Sequence, residues 1–140
     1  MKYALLLLVL ISISCKDKEK NMEEKTTSQM KGVIMIHDEI MPQMGKLSHL
    51  ASQLKTRIDS TTANAEYEEA IKELQDANQE MMDWMREFGE RFDGDEILKG
   101  KALTAQKQEW LNEEEAKIKA LQNKFDASIE KAELLLKKDN

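Results

Sequence analysis

Soft-metal binding is the most specific chemistry that the side chains of this chain suggest. Within MIHDEIMPQM, residues 35–44, the imidazole of His37 sits among the thioethers of Met35, Met41 and Met44. Further on, MMDWM at residues 81–85 sets Met81, Met82 and Met85 around the indole of Trp84. Imidazole and thioether donors together favour Cu(I). The Glu-x-x-His pairs with which helical bundles hold iron are missing. The candidate ligands are His37, Met41, Met81 and Met85. Trp84 would shield the ion, and Glu114 would hold the imidazole from behind. A plainer assignment competes: His37 as a satisfied core or boundary residue, and the methionines as flexible core filler. Copper is therefore an alternative to no cofactor at all. His49 falls outside the apolar pattern and reads as a surface residue. No Ser/His/Asp arrangement and no glycine-rich phosphate loop is present, so catalysis is not expected.

These residues must be positioned by helices. From Met30 the seam Met30, Val33, His37, Ile40, Met44, Leu47, Ala51, Leu54, Ile58 alternates steps of three and four, the signature of a coiled-coil face. The cluster from Asp59 to Asn64 supplies turn and cap residues. A second seam reads Tyr67, Ala70 or Ile71, Leu74, Ala77, Met81, Trp84 or Met85, Phe88, Phe92, and Gly94 is placed to close that helix in a left-handed conformation. The following DEILKGKAL should fold back over the end of the bundle, and Thr104 should cap a third helix with the seam Leu111, Glu114, Ile118, Leu121, Phe125, Ser128, Ala132, Leu135. The expected helices are 28–58, 63–92 and 104–137. Since no seam can stay wet, the predicted fold is all-α, an antiparallel up-down-up three-helix bundle. A two-helix hairpin that dimerises is the competing arrangement, so monomer and dimer both remain open. A reversal near residues 60–61 sets His37 level with Trp84. A second reversal near residue 98 would bring Glu114 into the same layer, as a partner for His37. Pro42 removes a helical hydrogen bond and should kink the first helix.

The chain opens MKYALLLLVLISISC, a lysine followed by an apolar run too short to span a bilayer, which reads as a signal peptide over residues 1–14. Ser12-Ile13-Ser14-Cys15 resembles the lipobox of bacterial lipoproteins, with Cys15, the chain's only cysteine, as the lipidated residue. The charged stretch 15–27 is expected to be a disordered tether, and residues 28–140 the bundle. Lys16 in place of an aspartate after the cysteine points to the outer membrane, on its periplasmic face or at the cell surface. The formal charge of −6, without a basic stripe, makes nucleic acid a poor partner. The partners implied are the membrane, through the lipid on Cys15, and a protein of the envelope.

His37-Asp38-Glu39-Ile40-Met41-Pro42, Leu74-Gln75-Asp76-Ala77-Asn78 with Met81-Met82-Asp83-Trp84-Met85, and Lys107-Gln108-Glu109-Trp110-Leu111 together resemble a family of small lipoproteins of Flavobacteriia and related Bacteroidota. Its members often carry the label viral A-type inclusion protein. The resemblance covers nearly the whole chain after the signal peptide, and it implies a lipid-anchored coiled-coil protein without supplying an activity.

Overall fold

The fold follows from closing three apolar seams on one another. A computed structural model describes residues 14–58 and 64–138. Among these residues there are helices and connecting turns but no strand. Helix α1 spans Ser14–Ile40, a 3-10 turn spans Met41–Gln43, and α2 runs from Met44 to Lys55. Helix α3 spans Asn64–Arg91, the short α4 spans Gly94–Leu98, and α5 spans Ala105–Lys138. The signal-like residues 1–13 and the reversal expected around 59–63 lie outside the described residues.

Nearly every seam position enters a single core. Val33, Ile40 and Leu54 of the first seam, Ala70, Ala77 and Met81 of the second, and Leu111, Ile118, Phe125 and Ala132 of the third are fully buried. Leu50 and Ile129 join them from outside the strict repeat. Ser128 keeps its seam position because its hydroxyl donates to the Phe125 carbonyl at 3.1 Å, which satisfies the polar group locally.

The charged flanks reveal the directions of the helices. Glu66, Glu73, Glu80 and Glu87 of α3, each one heptad after the last, pair with Lys138, Lys131, Lys124 and Lys117 of α5 in descending order. One number rises as the other falls, so α3 and α5 run in opposite directions. Between α1–α2 and α5 the numbers rise together, from Gln29 with Asn112 to Glu39 with Gln122 and Lys46 with Glu133. These elements run the same way. Each exposed pair contributes only about 0–1 kcal/mol, so the ladder selects an alignment more than it adds stability.

Three features depart from the sequence expectation. Helix α1 reaches back to Ser14 through the stretch 15–27 expected as a disordered tether. That stretch is rich in Lys and Glu and holds no glycine or proline, so intrinsic helix preference continues where packing stops. Gly94 does not close α3: the only glycine with positive φ is Gly100, at 69°. Instead Asp93 caps α4, accepting from the backbone N–H groups of Asp95 and Glu96, while the Glu96 carboxylate accepts from the Asp93 N–H at 2.8 Å. This reciprocal capping box makes Gly94 the first helical residue.

The third departure is the alignment of α3 with α5. The expectation set residue 84 level with about residue 112, but Glu80 meets Lys124 and Glu87 meets Lys117. The shift is about two helical turns. It arises because α4 and the turn through Gly100 lengthen the connection on the α5 side of the reversal.

Pro42 does interrupt the first helix. It lies in the 3-10 turn at Met41–Gln43 and is exposed, so the lost hydrogen bond faces water. Below this turn α2 lies close against α3, and the register that sets His37 beside Trp84 brings Ala51 level with Ala70. Above it, backbone approaches within 8 Å between α1 and α3 nearly vanish. Trp84, Phe88 and Phe92 fill the wider gap. The proline turn lets one seam serve two helix spacings.

The glycines yield an opposed pair of expected outcomes. At Gly100 an added Cβ would come within 3.1 Å of the Thr27 side chain on an already left-handed backbone. Gly100→Ala should cost about 1–2 kcal/mol in urea unfolding, and less in a Thr27→Ala background. At Gly89, within α3, nothing lies within 4 Å of the would-be Cβ. Gly89→Ala should stabilise by about 1 kcal/mol. Equal effects at the two positions would contradict these environments.

The ion pairs set the pH dependence. The Lys101 ammonium, helped by the backbone N–H of Glu96, lowers the Asp93 carboxyl from 3.8 to about 2. Lys117 likewise lowers Glu87 below 4.5. A depressed carboxyl stabilises fully above its unfolded value and loses that contribution as pH falls through its folded one. Glu87 and Glu73 raise Lys117 and Lys131 above 10.5, so their contribution is complete below 10.5 and fades at higher pH. Thermal unfolding should therefore show a plateau between pH 4.5 and 10.5, falling on both sides. A midpoint that rises on acidification below this plateau would refute the pairing.

Candidate functional site

The sequence singled out one layer of residues, and the structure divides it. His37, on the last turn of α1, stacks on Trp84 of α3 with ring centroids 5.6 Å apart and planes at 29°. The stack continues along α3 to Phe88 at 4.8 Å, and just past the helix end Phe92 follows at 4.9 Å with its ring tilted by 44°. His37 remains 21% exposed, and its Nδ1 lies 2.9 Å from Asp38 Oδ1. With Nδ1–H donating to that carboxylate, Nε2 carries the lone pair and is the nitrogen available to a ligand.

The other candidate ligands sit at different depths. Met81 is fully buried, while Met41 and Met85 are half-buried against the core. Met82 is 49% exposed and takes no part in the interior. Among the described residues no group of three or more His, Cys, Asp or Glu side chains is placed to hold a metal ion. Any metal here would depend on thioethers.

Glu114 is not the partner of His37. Its carboxylate is fully buried, and Oε1 lies 2.9 Å from the Arg91 guanidinium as an ion pair and accepts from Lys117 at 3.1 Å. The two-turn shift between α3 and α5 explains the separation: Glu114 belongs to the layer of Arg91, beyond that of Trp84. Arg91 is the residue that the sequence reading missed. It reaches Glu113 at 2.7 Å, and its guanidinium carbon lies 5.5 Å from the Trp110 ring centroid. The available signal was the acidic run Glu113-Glu114-Glu115, which needs a cation opposite once its middle member enters a seam.

Among the described residues two buried side-chain polar atoms have no hydrogen-bond partner: Glu114 Oε2 and Trp84 Nε1. Trp84 also lines an open groove of about 380 Å³ between α3 and α5, with Glu80, Asp83, Glu87, Lys117 and Lys124 around it. Both lysines there already pair across the groove with Glu87 and Glu80. A second buried carboxylate, Glu96 of the α4 cap, is neutralised by Lys107 at 2.6 Å. Both buried carboxylates are thus held by cations, with Glu114 Oε2 left without a hydrogen bond.

No family model, curated protein or solved structure matches the chain.

The cluster around Glu114 makes a stability prediction. Arg91→Met removes one of two cations from a buried carboxylate and should cost about 2 kcal/mol, less than for a wholly enclosed pair because Arg91 is 26% exposed and Lys117 remains. Lys72→Met breaks only the exposed pair with Asp76 and should leave the unfolding midpoint close to the parent's. Urea unfolding of both variants checks the contrast, and equal losses would mean that Glu114 is not held as described.

Proposed function

We propose that this protein is a lipid-anchored component of the cell envelope whose three-helix, antiparallel up-down-up bundle serves as a non-catalytic interaction or structural module. The observation that carries the reading is the apolar run ending at the chain's only cysteine, Cys15, at the start of the helix that leads into the bundle. Among the described residues no helix is long and apolar enough to cross a membrane, so attachment by this route falls to the lipid. The seams close within one chain and the buried charges are paired, which supports a scaffold role over a reaction centre. The outer membrane is the proposed location, and a protein of the envelope the proposed partner.

A second reading is favoured by one contact. The Asp38–His37 pair orients the imidazole so that Nε2 is free, as second-shell carboxylates do for metal-bound histidines. His37, Met41, Met81 and Met85 would then bind Cu(I), a function compatible with the same anchored bundle.

Two experiments separate the readings. Replacing Cys15 with Ser should move the protein from the membrane fraction to the soluble fraction and abolish incorporation of labelled palmitate. Retention of both would end the anchoring reading. Calorimetric titration with Cu(I) under reducing conditions, on the parent and on His37→Ala, tests the second. Binding no tighter than about micromolar, or equal in the two proteins, would exclude a His37 copper site.

A further inference from the structure

The two ends of the bundle differ in character. At one end α3 stops at Arg91 and α5 begins at Ala105, and α4 with the turn through Gly100 closes over the gap. Helix α1 passes this cap and continues outward. Met22, Thr26 and Thr27 line a groove against Gly100 and Leu103, and Cys15 follows about 10 Å beyond Met22 at the helical rise of ~1.5 Å per residue. The cap is therefore the end of the bundle nearest the proposed lipid.

Among the described residues this end also carries the most exposed large apolar side chain, Leu98 at 81%, with Met22 at 62%. Met35 and Leu134 are exposed as well, but on the flank of α1 and near the opposite end. The charges at the cap cancel. Asp93 pairs with Lys101 at 2.8 Å, Asp95 with Lys99 at 2.7 Å, and Glu96 with Lys107 at 2.6 Å. In a chain of formal charge −6, the three acids of residues 93–107 are each matched by a lysine, while Glu23 and Glu24 beside Met22 are exposed. An acidic face would be repelled by anionic headgroups. A neutral one, with a leucine at its tip and lysines whose stems can lie along apolar surface, is not.

We propose that Leu98 and Met22, flanked by Lys99 and Lys101, form a second membrane contact that seats this end of the bundle on the lipid surface. The proposal rests on the anchoring of Cys15 and assigns the orientation that follows from it. A lipid supplies attachment but leaves a rod free to swing. An apolar tip a few side chains wide, held within reach of the bilayer by the lipid, fixes which face points away from it.

The test uses the full lipidated protein on vesicles of phosphatidylethanolamine and phosphatidylglycerol. With the Cys15 thiol occupied by lipid, Leu98→Cys and, at the far end, Ser52→Cys can each be labelled with an environment-sensitive dye. Both sites are exposed, so neither substitution should disturb the core. Flotation with the vesicles is measured first. Brominated lipid should then quench the dye at 98 and leave the dye at 52 unchanged. Flotation with no quenching at 98, or with equal quenching at both sites, would overturn the membrane contact and leave the anchor intact. Failure to float would overturn both readings.

Discussion

A carboxylate with no solvent exposure sits in the seam between α3 and α5, and the alignment of the bundle depends on where it finds cations. Burying an ionised group costs several kcal/mol unless it is paired with good geometry. Lys117, three residues on, stays beside Glu114 at 3.1 Å in any register, Arg91 of α3 comes within 2.9 Å of the same oxygen in this one, and Oε2 keeps no partner. Sliding α5 by one heptad would keep apolar residues opposite one another but take Glu114 away from Arg91, leaving it only Lys117 of its own helix. The alignment that suits Glu114 also brings the glutamates of α3 opposite the lysines of α5. One expensive interaction thus chooses the register, and the inexpensive surface pairs agree with it.

The first two helices adapt to that frame. Alanines in the lower half let α2 approach α3 closely, while Trp84, Phe88 and Phe92 hold α1 away in the upper half. A continuous straight helix could not satisfy both spacings. The 3-10 turn containing Pro42 takes up the difference on the exposed side. His37 closes the aromatic stack at this junction, where a flat ring fits and a branched aliphatic side chain would not stack.

Much of this was legible in the residues themselves. The heptad seams, the placement of α3 and α5, the cap at Thr104 and the meeting of His37 with Trp84 follow from periodicity and turn chemistry, which act locally. What escaped was the alignment of α3 with α5, because it depends on the path of the intervening connection. Asp93 and Glu96 stood at capping-box spacing in the sequence, yet Gly94 beside them suggested a helix end, and the competing signal obscured α4. The partner of Glu114 was missed for the same reason, since Arg91 reaches it only in the shifted register. Helix continuing back to Ser14 was unforeseen because low hydrophobicity argues against packing but says little against an isolated run of good helix formers.

A module of this kind would present surfaces whose separation is set by the bundle, so its usefulness depends on a single fixed register. Glu114→Leu removes the charge while keeping the seam apolar. Amide resonances and hydrogen exchange of that variant test the central claim most directly. The account predicts a variant as stable as the parent or more so, whose α3 and α5 amides show doubled signals and reduced protection as neighbouring registers become populated. One sharp set of signals with protection equal to the parent would contradict it, and would place the choice of register in the apolar packing alone.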